Sequence, residues 1–431
     1  MKQTRREFFK TSAVGAGVLA AASRSRVLGA NDRINVGIIG VGGMGMGHLR
    51  ALVERADDYK CNVVAVCDVY RRRLNRAKEI CGGDGYEDYR ELLARPDIDA
   101  VWIVTPDHWH SKMSIDAMAA GKHVYCEKPM TLTVEQAFEV QAAVKEYGKV
   151  FQVGPNRTAD DRFWKAQEFI KAGKLGKVTW AQGGYNRNVR GGAFNEWFQI
   201  DETAGPDKTG DDHINWEMWL GTEWKLAPEI NWNPEHYFRF RKYWPYNGGV
   251  ATDLLYHMLA PLLISIAGNN GEFPHRVNAN GGLYLLKDGR DIPDVFLMNI
   301  DYSSEFTVNL TSVLTNNTPV PTRIYGQYGT IDIDPDADRA GQVGGGIKVS
   351  GNGDFVKEFR EKNGGYSQLT IPTDERPDLR GNFLNCIRDG GTPFCNVDLG
   401  TATMVGIKLG VESYRQSKTM IWDAENRKVV G

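Results

Sequence analysis

INVGIIGVGGMG, from Ile34 to Gly45, decides the fold. Its first six residues are rich in β-branched side chains and read as a strand covered on both faces. Gly40, Gly42 and Gly45 then match G-x-G-x-x-G, with Met44 inside the same loop. The match lies between a strand and a helical segment, the context in which the pattern has meaning. The first glycine permits a tight turn. The second lets the backbone approach a pyrophosphate at the helix N-terminus, where free N–H groups favour anions. Asp68 ends the following strand, 23 residues after Gly45, where an acid is expected to hold the adenine ribose hydroxyls. A carboxylate there repels a 2′-phosphate, so the reading favours NAD. Arg71, Arg72 and Arg73 follow closely and keep NADP as the alternative.

Working outward, strand-like runs at 34–40, 62–68, 99–105, 122–128 and 149–154 alternate with helix-period segments such as 107–120 and 133–147. This is the βαβ rhythm of an α/β fold, a doubly wound parallel Rossmann sheet over 31–155. Beyond residue 156 the rhythm changes. A strand at 177–185, a helix at 249–267 and runs near 276–286, 294–301, 305–314 and 322–333 suggest a second α/β domain, 156–431, with a large, mainly antiparallel sheet. Between them, 186–247 holds six of the chain's eleven tryptophans and is too long for a simple connector.

Three stretches carry chemistry. In YCEKPM (125–130), Lys128 follows Glu127 at the carboxyl end of a strand, the edge where doubly wound sheets bind ligands. Pro129 keeps Lys128 extended. Thr105, Pro106, Asp107 and His110 end the preceding strand and face the same cleft. In GGVATDLLYHM (248–258), Asp253 and His257 are spaced i, i+4 in an apolar helix. That spacing puts them on one face, either as an acid–imidazole relay favouring protonated His257 or as a satisfied buried pair.

Together, the glycine motif, Glu127-Lys128-Pro129 and Gly248-Gly249 followed by Asp253-x-x-x-His257 resemble the Gfo/Idh/MocA oxidoreductases over roughly 34–431. The late YGQYGTIDID (325–334) is similar to a strand pair of that family's second domain. The resemblance implies hydride transfer between a nicotinamide and a sugar or cyclitol carbon. It implies Lys128 between nicotinamide and substrate, His257 as general acid/base, and Asp253 as its orienting partner. Thr105, Pro106, Asp107 and His110 would lie near the nicotinamide ribose, although the family often has Asn at the position of Asp107. Arg157 is a further cleft candidate. Tyr185, Asn186, Trp197, His236 and Trp244 are candidates for holding a sugar, since aromatic faces pack on its C–H faces. The same aromatics can instead pack the segment onto the sheet or form an oligomer contact. The resemblance also implies a homo-oligomer, dimer or tetramer, through the open sheet.

Composition limits the alternatives. The formal charge is −2, and removing the first 30 residues, which carry +5, leaves −7. That gives no electrostatic case for nucleic acid or anionic lipid. Residues 1–30 combine a basic start, TRREFFK, with twelve weakly apolar residues and a small-residue cleavage site at Leu28-Gly29-Ala30. They resemble a twin-arginine signal, whose export machinery carries folded cargo, and imply a periplasmic or otherwise exported protein without a stable membrane anchor. The six cysteines show no zinc or redox spacing, so no metal is expected. Cys386 and Cys395 are left as a pair that could bridge after export. The leading expectation is an exported NAD(P)-dependent sugar oxidoreductase with tightly held cofactor. The rivals are a redox-neutral NAD-dependent glycoside hydrolase or lyase and a non-catalytic sugar or nucleotide sensor.

Overall fold

Strands Ile34–Ile39 (β1), Cys61–Cys67 (β2), Asp84–Tyr86 (β3), Ala100–Ile103 (β4), His123–Cys126 (β5) and Phe151–Val153 (β6) form one sheet in the order β3-β2-β1-β4-β5-β6. Every pairing in it is parallel. The structure is a computed structural model describing residues 33–195, 199–335 and 345–430. Helices Gly43–Glu54 (α1), Arg71–Cys81 (α2), Asp107–Ala119 (α3) and Val134–Tyr147 (α4) connect the strands. Thr133 and Gln136 form a reciprocal capping box on α4, which satisfies two orphan N–H groups at its start. The strand order reverses between β1 and β4, and that reversal opens the crevice used by ligands in such sheets.

After Asp161–Lys171 (α5), the second sheet is assembled from Val178–Gly184 (β7), Pro274–Gly282 (β8), Val295–Tyr302 (β9), Phe306–Val313 (β10), Arg323–Gly326 (β11), Gly329–Asp332 (β12), Ile347–Gly351 (β13), Gln368–Ile371 (β14), Met420–Asp423 (β15) and Lys428–Val430 (β16). Their order is β14-β13-β12-β11-β7-β10-β9-β8-β15-β16. The sheet is mixed, because β7 and β10 pair in parallel while the other pairs are antiparallel. The run 322–333 splits into two strands at a tight turn, and β13 to β16, of three to five residues each, are too short to stand out in the sequence. Helix Tyr256–Ala267 (α6) lies under this sheet and is preceded by a π-helical turn, Ala251–Leu255.

The last two long helices, Leu379–Asp389 (α7) and Val397–Gln416 (α8), return to the first domain. Phe383 packs edge-on against Trp102 and Tyr125, with ring centroids 5.1 and 5.8 Å away. Gln152 donates to the Leu379 carbonyl at 2.7 Å. Val153 N–H donates to Cys395 O at 2.9 Å. Cys386 and Cys395 do not bridge; each of the six cysteines is a free thiol. Among the described residues no helix is long and apolar enough to cross a membrane. Residues 1–30, with their signal-like pattern, lie outside the described residues.

Candidate active site

A cleft of about 1210 Å³ runs from the glycine loop to the face of α6. Its nucleotide end is shaped by missing side chains. Gly40 has φ +86°, and a Cβ there would stand 2.7 Å from Val104 O. A Cβ on Gly45 would lie 1.9 Å from Gly40 O, so the third glycine is required for the loop to close on α1. Gly42 faces the cleft. Asp68 closes this end, buried, accepting from Val41 N–H at 2.8 Å and Tyr70 N–H at 2.9 Å. Burial pushes its pKa up, against the pull of Arg73 and these two N–H groups. Thr105 Oγ1, on the cleft wall, is buried with no hydrogen-bond partner among the described residues. An open backbone cradle, a carboxylate at the end of β2 and an unmet hydroxyl fit a dinucleotide.

The other end holds the charges. Lys128 Nζ donates to Asp253 Oδ1 and to the Asp253 carbonyl, both at 2.9 Å. Their side chains are only 8% and 7% exposed, so neither charge is left to water and the pairing holds both. Arg241 Nε donates to the same Oδ1 at 3.1 Å. Burial opposes the charge on Asp253, but Lys128 and Arg241 outweigh it and hold the carboxyl well below the usual range. His257 lines the cleft beside Tyr185, with ring centroids 6.1 Å apart. Burial, then the Lys128 ammonium, pushes its pKa down to about 3. The expected acid–imidazole pair is therefore corrected. Asp253 gives its carboxylate to Lys128 and Arg241, and His257 is neutral rather than favoured as a cation. The π turn over 251–255 widens the helix at this point, so i, i+4 spacing no longer stacks the two side chains.

Glu127 supports Lys128 from behind. Arg380 Nε donates to His48 Nδ1 at 3.0 Å. The His48 proton therefore sits on Nε2 and is donated to Glu127 Oε1 at 2.9 Å. Glu127 Oε2 accepts from Lys128 N–H at 3.1 Å. The chain bends directly after β5, and the Lys128–Pro129 peptide is cis where the sequence suggests an extended path. Asp107 is buried at the start of α3 and accepts from Asn247 Nδ2 at 2.7 Å. Burial pushes it up to about 7, Arg241 opposing and Asp253 adding to the rise.

Residues 34–155 match the model of the GFO_IDH_MocA family, described as an oxidoreductase family with an NAD-binding Rossmann fold. That stretch, with its parallel sheet and glycine loop, is similar to the Gfo/Idh/MocA nucleotide-binding domain. The chain is 32% identical over 177 residues to an inositol 2-dehydrogenase of Rubrobacter xylanophilus, covering 41% of this chain and 50% of that protein. It is 28% identical over 270 residues to a glycosyl hydrolase family 109 protein of Shewanella baltica, covering 60% of this chain and 54% of that one. The chain thus spans about half the length of the curated relatives it matches. Its fold is similar to that of an NAD-binding protein from Listeria innocua, with TM-score 0.63 and 22% identity over 90% of this chain and 97% of that one.

The cleft brings together Gly40, Gly42, Met44, Asp68, Thr105, Pro106, Asp107, Glu127, Lys128, Arg157, Tyr185, Asn186, Asp253 and His257. Gly45 lies behind the loop. His110 lies behind the wall between the carbonyls of Pro129 (2.6 Å) and Thr105 (2.9 Å), and as a neutral ring it donates its one N–H to one of them. Arg157 is spent on a bidentate pair with Asp334, both contacts at 2.8 Å. Asn186 ties its strand end to Thr318 O and Val313 N–H. His236 stacks on Tyr243 and meets the Tyr246 hydroxyl, and Trp244 lies under Arg415; neither lines the cleft. Trp197 lies outside the described residues. Arg241 and Asn247, which fix Asp253 and Asp107, escape sequence reading because they lie in an irregular segment with no period to place them. Of the three arginines that keep NADP open, Arg71 pairs with Glu87 at 3.0 Å and Arg72 with Asp201 and Asp212. The third, Arg73, lines the cleft near Asp68, so NAD and NADP both stay open.

Proposed function

We propose that this chain is an exported oxidoreductase that moves a hydride between NAD and a CH–OH carbon of a sugar, glycoside or cyclitol. The observation that carries the reading is the triad at the far end of the nucleotide cleft: Lys128, locked by Asp253, beside a neutral His257. When bound, the nicotinamide supplies the hydride donor or acceptor. In the oxidising direction the C–H leaves as hydride, the O–H proton passes to His257, and a carbonyl forms. Neutral His257 has a lone pair free for that proton, and the Lys128 ammonium stabilises negative charge growing on the oxygen. The inositol 2-dehydrogenase relative supports this substrate class.

A second reading, a redox-neutral cycle that ends in glycoside cleavage, is favoured by the match to the glycosyl hydrolase family 109 protein, which extends well past the Gfo/Idh/MocA domain. In either cycle an exported enzyme has no dinucleotide pool to draw on, so the cofactor is held tightly and reset in place. A homo-oligomer through the outer face of the ten-stranded sheet completes the proposal.

The test is turnover of a panel of sugars, inositols and glycosides, followed by the absorbance of the reduced nicotinamide. His257→Ala is expected to lose at least about 100-fold in turnover while retaining NAD. Product without net change of cofactor state selects the redox-neutral cycle. No product and no cofactor change with any sugar, or loss of NAD with the substitution, removes the proposal.

A further inference from the structure

The Trp-rich segment 186–247 packs on the nucleotide end of the first domain. Tyr70, at the start of α2, forms an isolated antiparallel bridge with Ile214. Asn215 N–H donates to Val69 O at 2.9 Å, and Arg71 N–H donates to His213 O at 3.1 Å. The Tyr70 hydroxyl donates to Asp201 at 2.7 Å, and Arg72 pairs with both Asp201 and Asp212. These contacts hold Tyr237 and Phe238 against the cleft wall.

Inside this wall stands Arg73. Its guanidinium lies 5.3, 5.5 and 5.6 Å from the ring centroids of Tyr70, Tyr237 and Phe238. Its Nη1 is 3.4 Å from where a Cβ on Gly42 would stand. Arg73 lines the cleft yet makes no hydrogen bond to any described residue, unlike Arg71 and Arg72. An arginine caged by three rings, with its donors unspent, and set over the glycine that admits a pyrophosphate is a pre-positioned anion receptor.

We infer that Arg73, held by Tyr237 and Phe238, binds the phosphate on the adenosine side of NAD, and that the inserted segment is a clasp which slows release of the dinucleotide. This rests on the proposed function only in taking NAD as the ligand. It does not depend on which sugar is turned over.

The experiment measures binding and release of NAD, ADP-ribose and NADP on the full chain by calorimetry and stopped-flow displacement. Arg73→Met and the double substitution Tyr237→Leu/Phe238→Leu are compared with the unaltered protein. Arg73→Lys serves as a charge-retaining control. Arg73→Met should weaken NAD and ADP-ribose alike by about tenfold or more. The aromatic double substitution should speed NAD release by at least about fivefold, measured at a temperature well below the lowered melting point that the loss of two buried rings will bring. Arg73→Lys should recover part of the loss. Unchanged NAD and ADP-ribose affinity, loss confined to NADP, or no recovery with lysine overturns the assignment. Turnover that is absent while NAD is still clasped as described would sink the proposed function and leave this inference standing.

Discussion

Asp107 is a carboxyl whose nearest cations, Lys128 and Arg241, are already committed to Asp253. Its pKa in the folded protein is about 7, above the roughly 3.9 of an unfolded aspartate. Between those values the folded chain binds a proton that the unfolded chain has lost, so stability falls as pH rises from about 4 to about 7. Asp107→Asn removes this cost and still offers an oxygen to Asn247. It is expected to stabilise the fold by on the order of 2–4 kcal/mol above pH 7, with the curves converging near pH 4. Urea unfolding of both proteins across that range checks the sign; a gain independent of pH contradicts it. Lys128, Asp253 and His257 could be read in the chain because their spacing and strand-end position are local features. Their charge states could not. These depend on Arg241, twelve residues upstream of Asp253 in an irregular loop, and on a π turn that no periodicity reveals.

The glycine loop and α1 behave as one element, because Gly45 sits against the carbonyl of Gly40 with no room for a methyl group. Gly45→Ala must push that carbonyl aside, at about 1–3 kcal/mol for the overpacking. The same shift should weaken NAD binding by about tenfold or more. Calorimetric titration tests the second effect and thermal melting the first; normal affinity in a destabilised protein would separate loop from site. This element was the most legible part of the chain, since its sequence states both the turn and the helix. The strand pairs at 347–351, 368–371, 420–423 and 428–430 were the least legible. They are held by neighbours in the sheet rather than by a pattern of their own. The helix 249–267 was legible in extent but not in form, since its first turn after Val250 is wider than an α-helix.

At the scale of the molecule, the proposed export and the fold bear on each other. If TRREFFK directs folded cargo, replacing Arg5 and Arg6 with lysine should leave the protein in the cytoplasm, folded and carrying NAD. Fractionation of cells followed by nucleotide extraction checks this; unchanged export would show another address at work. The βαβ rhythm made the first domain readable as a run of sequence, but that run is not self-contained. Phe383 covers Trp102 and Tyr125, Leu379 accepts the bond from Gln152, and Cys395 accepts the one from Val153. A ribosome must therefore deliver almost the whole polypeptide before the first strands it made acquire their cover. Nascent chains stalled before residue 379 would present bare aromatic rings to chaperones, and a gene fragment ending at residue 155 would encode a domain without its lid. The order of synthesis thus leaves these rings uncovered until the last long helices have been made.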